Sequence, residues 1–115
     1  MKIAGNIFNA AKSQNDQSEV FDTLFDGSVK IERILSSGHI TPAGQWYDQP
    51  ADEWVLLIQG SAKLFFADNE EVTLEAGDYI FIPAHQKHRV SYTSSQPSCI
   101  WLAVHGQLKN IFLQK

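Results

Sequence analysis

The chain has 115 residues, 43% of them hydrophobic and 19% charged, the size and make-up of one globular domain able to bury a core without staples. A formal net charge of −4 with no clustered lysine or arginine offers no positive footprint for a phosphate backbone, which argues against a nucleic-acid partner. No stretch is apolar for long enough to cross a bilayer as a helix, and the single cysteine, Cys99, rules out an internal disulfide and reads as a small buried hydrophobe.

The opening stretch from Lys2 to Ala11 carries one positive charge, but Gly5, Asn6 and Asn9 interrupt its apolar residues. It is a poor secretory signal, and the expected location is the cytoplasm. Residues 13–19, SQNDQSE, are polar and read as a loop, after which Ser18 is placed to cap a short helical turn through Asp22 that ends near Gly27. Helix is expected only there, near residues 18–25. Residues 1–28 therefore read as an N-terminal arm with a short helix, and residues 29–115 as the body of the domain.

From Val29 onward every apolar run is short and rich in β-formers: Val29 to Leu35, Trp54 to Ile58, Ala62 to Phe66, Glu71 to Leu74, Tyr79 to Ile82, Arg89 to Thr93 and Ile100 to Val104. Turn residues such as Ser37-Gly38, Gly60-Ser61, Asp68-Asn69 and Gly77-Asp78 bound these runs. Strands this short and this closely spaced predict an all-β sandwich or barrel. The run Trp54 to Ile58 is apolar on both faces and belongs inside a covered sheet. Along Lys87 to Thr93, period-2 alternation places His88, Val90 and Tyr92 on one face, expected to look into the barrel.

Two segments resemble the motifs of the cupin superfamily. GQWYDQPADEWVLLIQG (Gly44 to Gly60) is similar to the first motif, in which a Gly leads to a His-x-His pair, a Glu and a later Gly; Glu53 and Gly60 fit. GDYIFIPAHQKHRVSY (Gly77 to Tyr92) is similar to the second, with Gly77, Pro83 and the ligand histidine His88 in place. The resemblance implies a cupin-type double-stranded β-helix, or jelly roll, in a small single-domain member. It also departs from the family. The two histidines of the first pair fall on Trp46 and Asp48, His85 stands for the usual Gly, and Tyr92 stands where an Asn is common. WYDQ followed by DEWVLL is similar to a subgroup of small cupins that shares this substitution.

By resemblance, cupins hold a metal with three histidines and a glutamate that point into the barrel. The matching positions here offer Asp48, Glu53 and His88, an oxygen and nitrogen set suited to manganese, ferrous iron or zinc. The competing reading is a metal-free barrel in which Glu53 and His88 are hydrogen-bonded polar residues. His85 is a candidate fourth ligand in a loop that can equally face solvent, and His39 reads as a surface residue. Trp46, at the first histidine position, is expected to form an apolar wall for a small ligand, with Tyr92 and His105 beside it. Two functions remain open on these residues: a small-molecule-binding barrel, or a metal-dependent dioxygenase, isomerase or lyase acting on a small organic substrate. No catalytic residue is assigned. The apolar residues of Ile3 to Phe8, able to add a strand to a partner sheet, and the resemblance both point to a homodimer.

Overall fold

The computed structural model describes residues 1–9 and 19–108, which form eight strands: β1 (Val20–Asp26), β2 (Lys30–Ser36), β3 (Asp52–Gln59), β4 (Ser61–Phe66), β5 (Glu71–Glu75), β6 (Tyr79–Ile82), β7 (His88–Thr93) and β8 (Cys99–Gly106). Each of the seven apolar runs becomes a strand, with ends displaced by no more than two residues. The strands make two antiparallel sheets, one in the order β1-β2-β8-β3-β6 and the other in the order β5-β4-β7.

The sheets face each other across Val55, Leu57, Ala62, Leu64, Phe66, Leu74, Ile82, Cys99, Trp101 and Ala103. Alternation puts these residues on one side of each strand, and burying a side chain the size of Leu57 or Phe66 stabilises the fold by about 1.5–3 kcal/mol. Two polar side chains within the core are matched: the Trp101 indole N–H donates to Ser36 Oγ at 3.0 Å, and the fully buried Cys99 places Sγ 3.3 Å from the Ser61 carbonyl. Gly60 makes the tight β3–β4 turn at φ 94°, where a Cβ would come within 2.8 Å of Ser94 Oγ and 2.9 Å of Cys99 Sγ. Only glycine fits there.

The helical turn expected near residues 18–25 does not form in the described part of that stretch, where residues 20–26 are β1, paired with β2. Residues 10–18, including the cap residue Ser18, lie outside the described residues. Tertiary pairing overrides the local signal: Arg33 on β2 donates to the Asp22 carboxylate from Nε at 3.2 Å and from Nη2 at 2.7 Å. Among the described residues no helix is long and apolar enough to cross a membrane.

Three irregularities of register shape the interior. Leu24 in β1, Ile58 in β3 and Ser91 in β7 are each an extra residue opposite a continuous partner strand. Such a bulge reverses the facing of whatever follows it.

Candidate ligand-binding site

Strand pairing gathers the polar side chains of the interior at one end of the barrel. Glu53 on β3 sits directly across from His105 on β8 and from Ile82 on β6. Glu32 on β2 shares that inward face and places its carboxylate 3.2 Å from His105 Nε2 and 3.4 Å from Lys30 Nζ. His88 opens β7 from the opposite sheet and is bridged to Tyr47, whose N–H donates to the His88 carbonyl at 2.8 Å while the His88 N–H donates back at 3.1 Å. The two rings stack with centroids 5.5 Å apart. These side chains, with Glu19 and Gln49, form the polar lining of a cavity of about 80 Å³ whose apolar walls include Ile34, Val55, Val90 and Trp101.

His88 is held in a defined tautomer. Its Nδ1 lies 2.8 Å from the Gln86 carbonyl, which can only accept, so Nδ1 carries the proton and the neutral ring offers a lone pair at Nε2. That Nε2 lies 3.7 Å from Glu53 Oε1, beyond hydrogen-bond reach, although both residues are buried. Burial pushes the Glu53 carboxyl above the usual carboxylate range; His105 and His88 oppose the shift and Glu32 reinforces it. Burial likewise raises Glu19, against the pull of His39. The Tyr47 hydroxyl is raised by burial and then by the charges of Glu19, Glu53 and Glu32, with a hydrogen bond to Thr41 acting the other way. Three carboxylates thus act on one phenol.

The structure brings together Glu53, His88 and His105 from the residues singled out in the sequence, and leaves Trp46, Asp48 and Tyr92 outside the cavity lining. Residues 46–49 alternate as a strand would, but in the opposite phase. The bridge between Tyr47 and His88 turns Tyr47 and Gln49 inward, so Trp46 faces outward against Phe65, ring centroids 6.1 Å apart. Asp48 turns out with it and pairs with His85 Nδ1 at 2.9 Å, both side chains exposed. Tyr92 follows the bulge at Ser91, which sends it outward and turns Thr93 in. Glu19, Phe21, Glu32, Tyr47 and Gln49 were missed as lining residues; only the alternation of Glu32 with Ile34 in β2 signalled one of them.

Comparison with known proteins places this geometry. Residues 37–105 match the cupin domain family. The chain belongs to the cupin family. A protein of Ralstonia eutropha JMP134 named "putative mannose-6-phosphate isomerase" is 39% identical to this cupin, with a TM-score of 0.84 over 92% of this chain and 99% of that one. An RmlC-like cupin of Methanocaldococcus jannaschii with a double-stranded β-helix fold superposes with a TM-score of 0.70 at 17% identity, covering 93% and 91% of the two chains. Among curated proteins, the RCS-specific HTH-type transcriptional activator RclR of Escherichia coli K12 is 30% identical over 74 residues, 64% of this chain and 26% of the activator. This chain spans about a quarter of that relative's length.

The metal set that the resemblance implies does not assemble. With Asp48 committed to His85 at the surface, Glu53 and His88 are left as two donors, and His105 is engaged by Glu32. Among the described residues no group of three or more His, Cys, Asp or Glu side chains is disposed to hold a metal ion. Two donors fall short of the three or four protein ligands that fix such an ion.

Proposed function

We propose that this cupin is a small-molecule-binding barrel whose ligand enters the cavity between Glu53, His88 and Tyr47. The observation that carries the reading is the buried pair Glu53 and His88, which face each other across 3.7 Å on the wall of that cavity without a hydrogen bond between them. Polar groups buried at such a cost are ordinarily satisfied, and a ligand placed between them would satisfy both. Among the described residues no lysine or arginine lines the cavity, whereas Glu19, Glu32 and Glu53 do. A sugar phosphate, the substrate class named for the Ralstonia relative, would meet like charge. A binding role also accords with the similarity to part of a transcriptional activator. We infer further that the WYDQ string marks cupins that have given up the histidine pair of the first motif, and that two copies of this chain pair through the outer face of the five-stranded sheet.

The test of the binding reading is cavity filling. Val90→Phe adds bulk to the cavity wall, at a stability cost of about 1–3 kcal/mol. A fragment panel screened by NMR against the wild-type protein is expected to shift Val55, Val90 and Trp101 resonances, and the same fragments are expected to leave Val90→Phe unmoved. Hits that survive the substitution would place binding elsewhere and remove the support for this site. If the purified protein carries a stoichiometric metal, the metal-dependent alternative replaces this reading.

A further inference from the structure

The chemistry of the cavity narrows the class of ligand, an inference that rests on the binding reading above. Two facing acceptors define the inner end. His88 donates through Nδ1 to the Gln86 carbonyl, so its Nε2 accepts, and Glu53 accepts through its carboxylate. Both residues are more than nine-tenths buried, His88 at 7% and Glu53 at 9% exposed, and neither makes a hydrogen bond at these atoms among the described residues. The complement of two acceptors 3.7 Å apart is a group that carries at least two hydrogens on one centre. A hydroxyl has one, a carboxylate at neutral pH has none, a phosphate carries its hydrogens on separate oxygens, and water, an amide NH2, an ammonium or the NH2 of a guanidinium has two or more.

Charge selects among such donors. Glu53, Glu32 and Glu19 line the cavity, and of these Glu32 is paired with Lys30 as well as with His105. The remaining carboxylates are partnered within the described structure only by histidines, so a cation entering the cavity removes the electrostatic penalty of their burial. Tyr47 adds a π face, since its ring lies in the lining and is stacked on His88. Size sets the last limit. A cavity of about 80 Å³ is roughly half of one that accepts benzene, so it takes a head group of about four or five heavy atoms.

We propose that the occupant is the head group of a small organic cation, an alkylammonium or guanidinium, whose N–H groups bridge Glu53 and His88 while its charge faces the glutamates. The test is calorimetric titration of the intact chain at neutral pH with methylguanidinium, with N-methylurea as its uncharged counterpart, with acetate and inorganic phosphate as anions, and with Mn²⁺. Methylguanidinium is expected to bind at least about tenfold more tightly than N-methylurea, and Glu53→Gln to weaken it by about tenfold or more through loss of a charge-assisted hydrogen bond. Val90→Phe should abolish the heat.

Each other outcome counts against the proposal in an identifiable way. Binding of N-methylurea, acetate or phosphate as tightly as methylguanidinium, lost in Val90→Phe, overturns the cationic class and leaves the binding barrel standing. Stoichiometric Mn²⁺ binding that displaces methylguanidinium and disappears in His88→Ala assigns the site to a metal instead. Methylguanidinium binding unchanged in a folded Glu53→Gln protein places the cation elsewhere and overturns the assignment. Silence of every probe up to about 10 mM removes both the class and the binding reading.

Discussion

Glu53 and its neighbour Asp52 show how adjacent carboxylates take opposite roles. Both are buried, but Asp52 is fully used: Oδ1 accepts from the Ala84 N–H at 2.9 Å and Oδ2 from the Leu108 N–H at 3.0 Å, tying the β6–β7 loop and the end of β8 to β3. Glu53, one residue on, faces the cavity with a carboxyl that burial holds above its ordinary range. The folded protein therefore binds this proton more tightly than the unfolded chain does. Stability contributed by the group is complete below the unfolded carboxylate range and is lost as pH rises through the raised folded value. Glu53→Gln removes that loss. Relative to the wild type, the variant is expected to gain stability between about pH 4 and neutrality, read as a growing difference in urea midpoint. A difference independent of pH would show that the carboxyl is not perturbed in the native state. His88→Ala is expected to cost about 1–3 kcal/mol, because the Gln86 carbonyl loses its donor, and to lower affinity for an organic cation together with it.

At the scale of elements, the bulge in β7 decides which side chains the interior receives. Leu64 pairs with Val90 and Lys63 with Tyr92, so Ser91 is skipped and the facing reverses after it. Thr93 becomes buried, at 2% exposed, and its hydroxyl donates to the His39 carbonyl at 2.6 Å, while Tyr92 is 44% exposed. Thr93→Val is expected to destabilise by about 1–2 kcal/mol and Tyr92→Ser to stay within about 0.5 kcal/mol, measured by denaturant unfolding. An unbroken β7 would reverse that order.

The same elements show what the sequence could reveal. Seven strands were legible because Gly, Pro, Asn and Asp punctuate runs of β-formers, and Glu53, His88 and His105 were legible from motif position and alternation. Tyr92 was misplaced because a bulge leaves no mark in a period-2 pattern. Trp46 and Asp48 were misplaced because motif alignment carries over the family's phase, and a departure at both positions is itself a sign that the phase has changed. Asp48 and His85, two of the four substituted motif positions, are joined to each other at 2.9 Å across the loops. This gives the pair a surface role in place of a ligand role. The sequence points to a short helical turn at the start of β1 because Ser18 is placed to cap one and Gly27 to end it, and nothing local announces the Asp22–Arg33 pairing or the bulge at Leu24.

Across the whole molecule, the five-stranded sheet carries an apolar row on the face that the core does not use. Register sets Phe25, Ile31, Val104, Trp54 and Phe81 in one row across all five strands, a span of about 19 Å at ordinary strand spacing. The next row on this face continues with Leu102, Leu56 and Tyr79 from the ion pair of Asp22 and Arg33, and the Trp54 and Tyr79 rings approach to 5.4 Å. Phe25 and Tyr79 are 52% and 67% exposed. A contiguous apolar row of this width is uncommon on a protein that stays alone, and a two-fold axis lets one such row cover another. The N-terminal segment runs beside it, since Arg33 Nη1 donates to the carbonyls of Asn6 and Ile7 at 3.3 Å, and it carries the exposed Ile3 and Phe8. Light scattering at micromolar concentration is expected to give twice the 12.9 kDa of one chain. Val104→Lys puts a charge at the middle of the apolar row without touching the core, so it is expected to halve that mass and leave the β-sheet spectrum unchanged. A wild-type protein with the mass of one chain would end the pairing proposal. A dimer that persists in Val104→Lys would move the contact to another surface, of which the edge of β1 is the first to test, because among the described residues no strand pairs with it on the side away from β2.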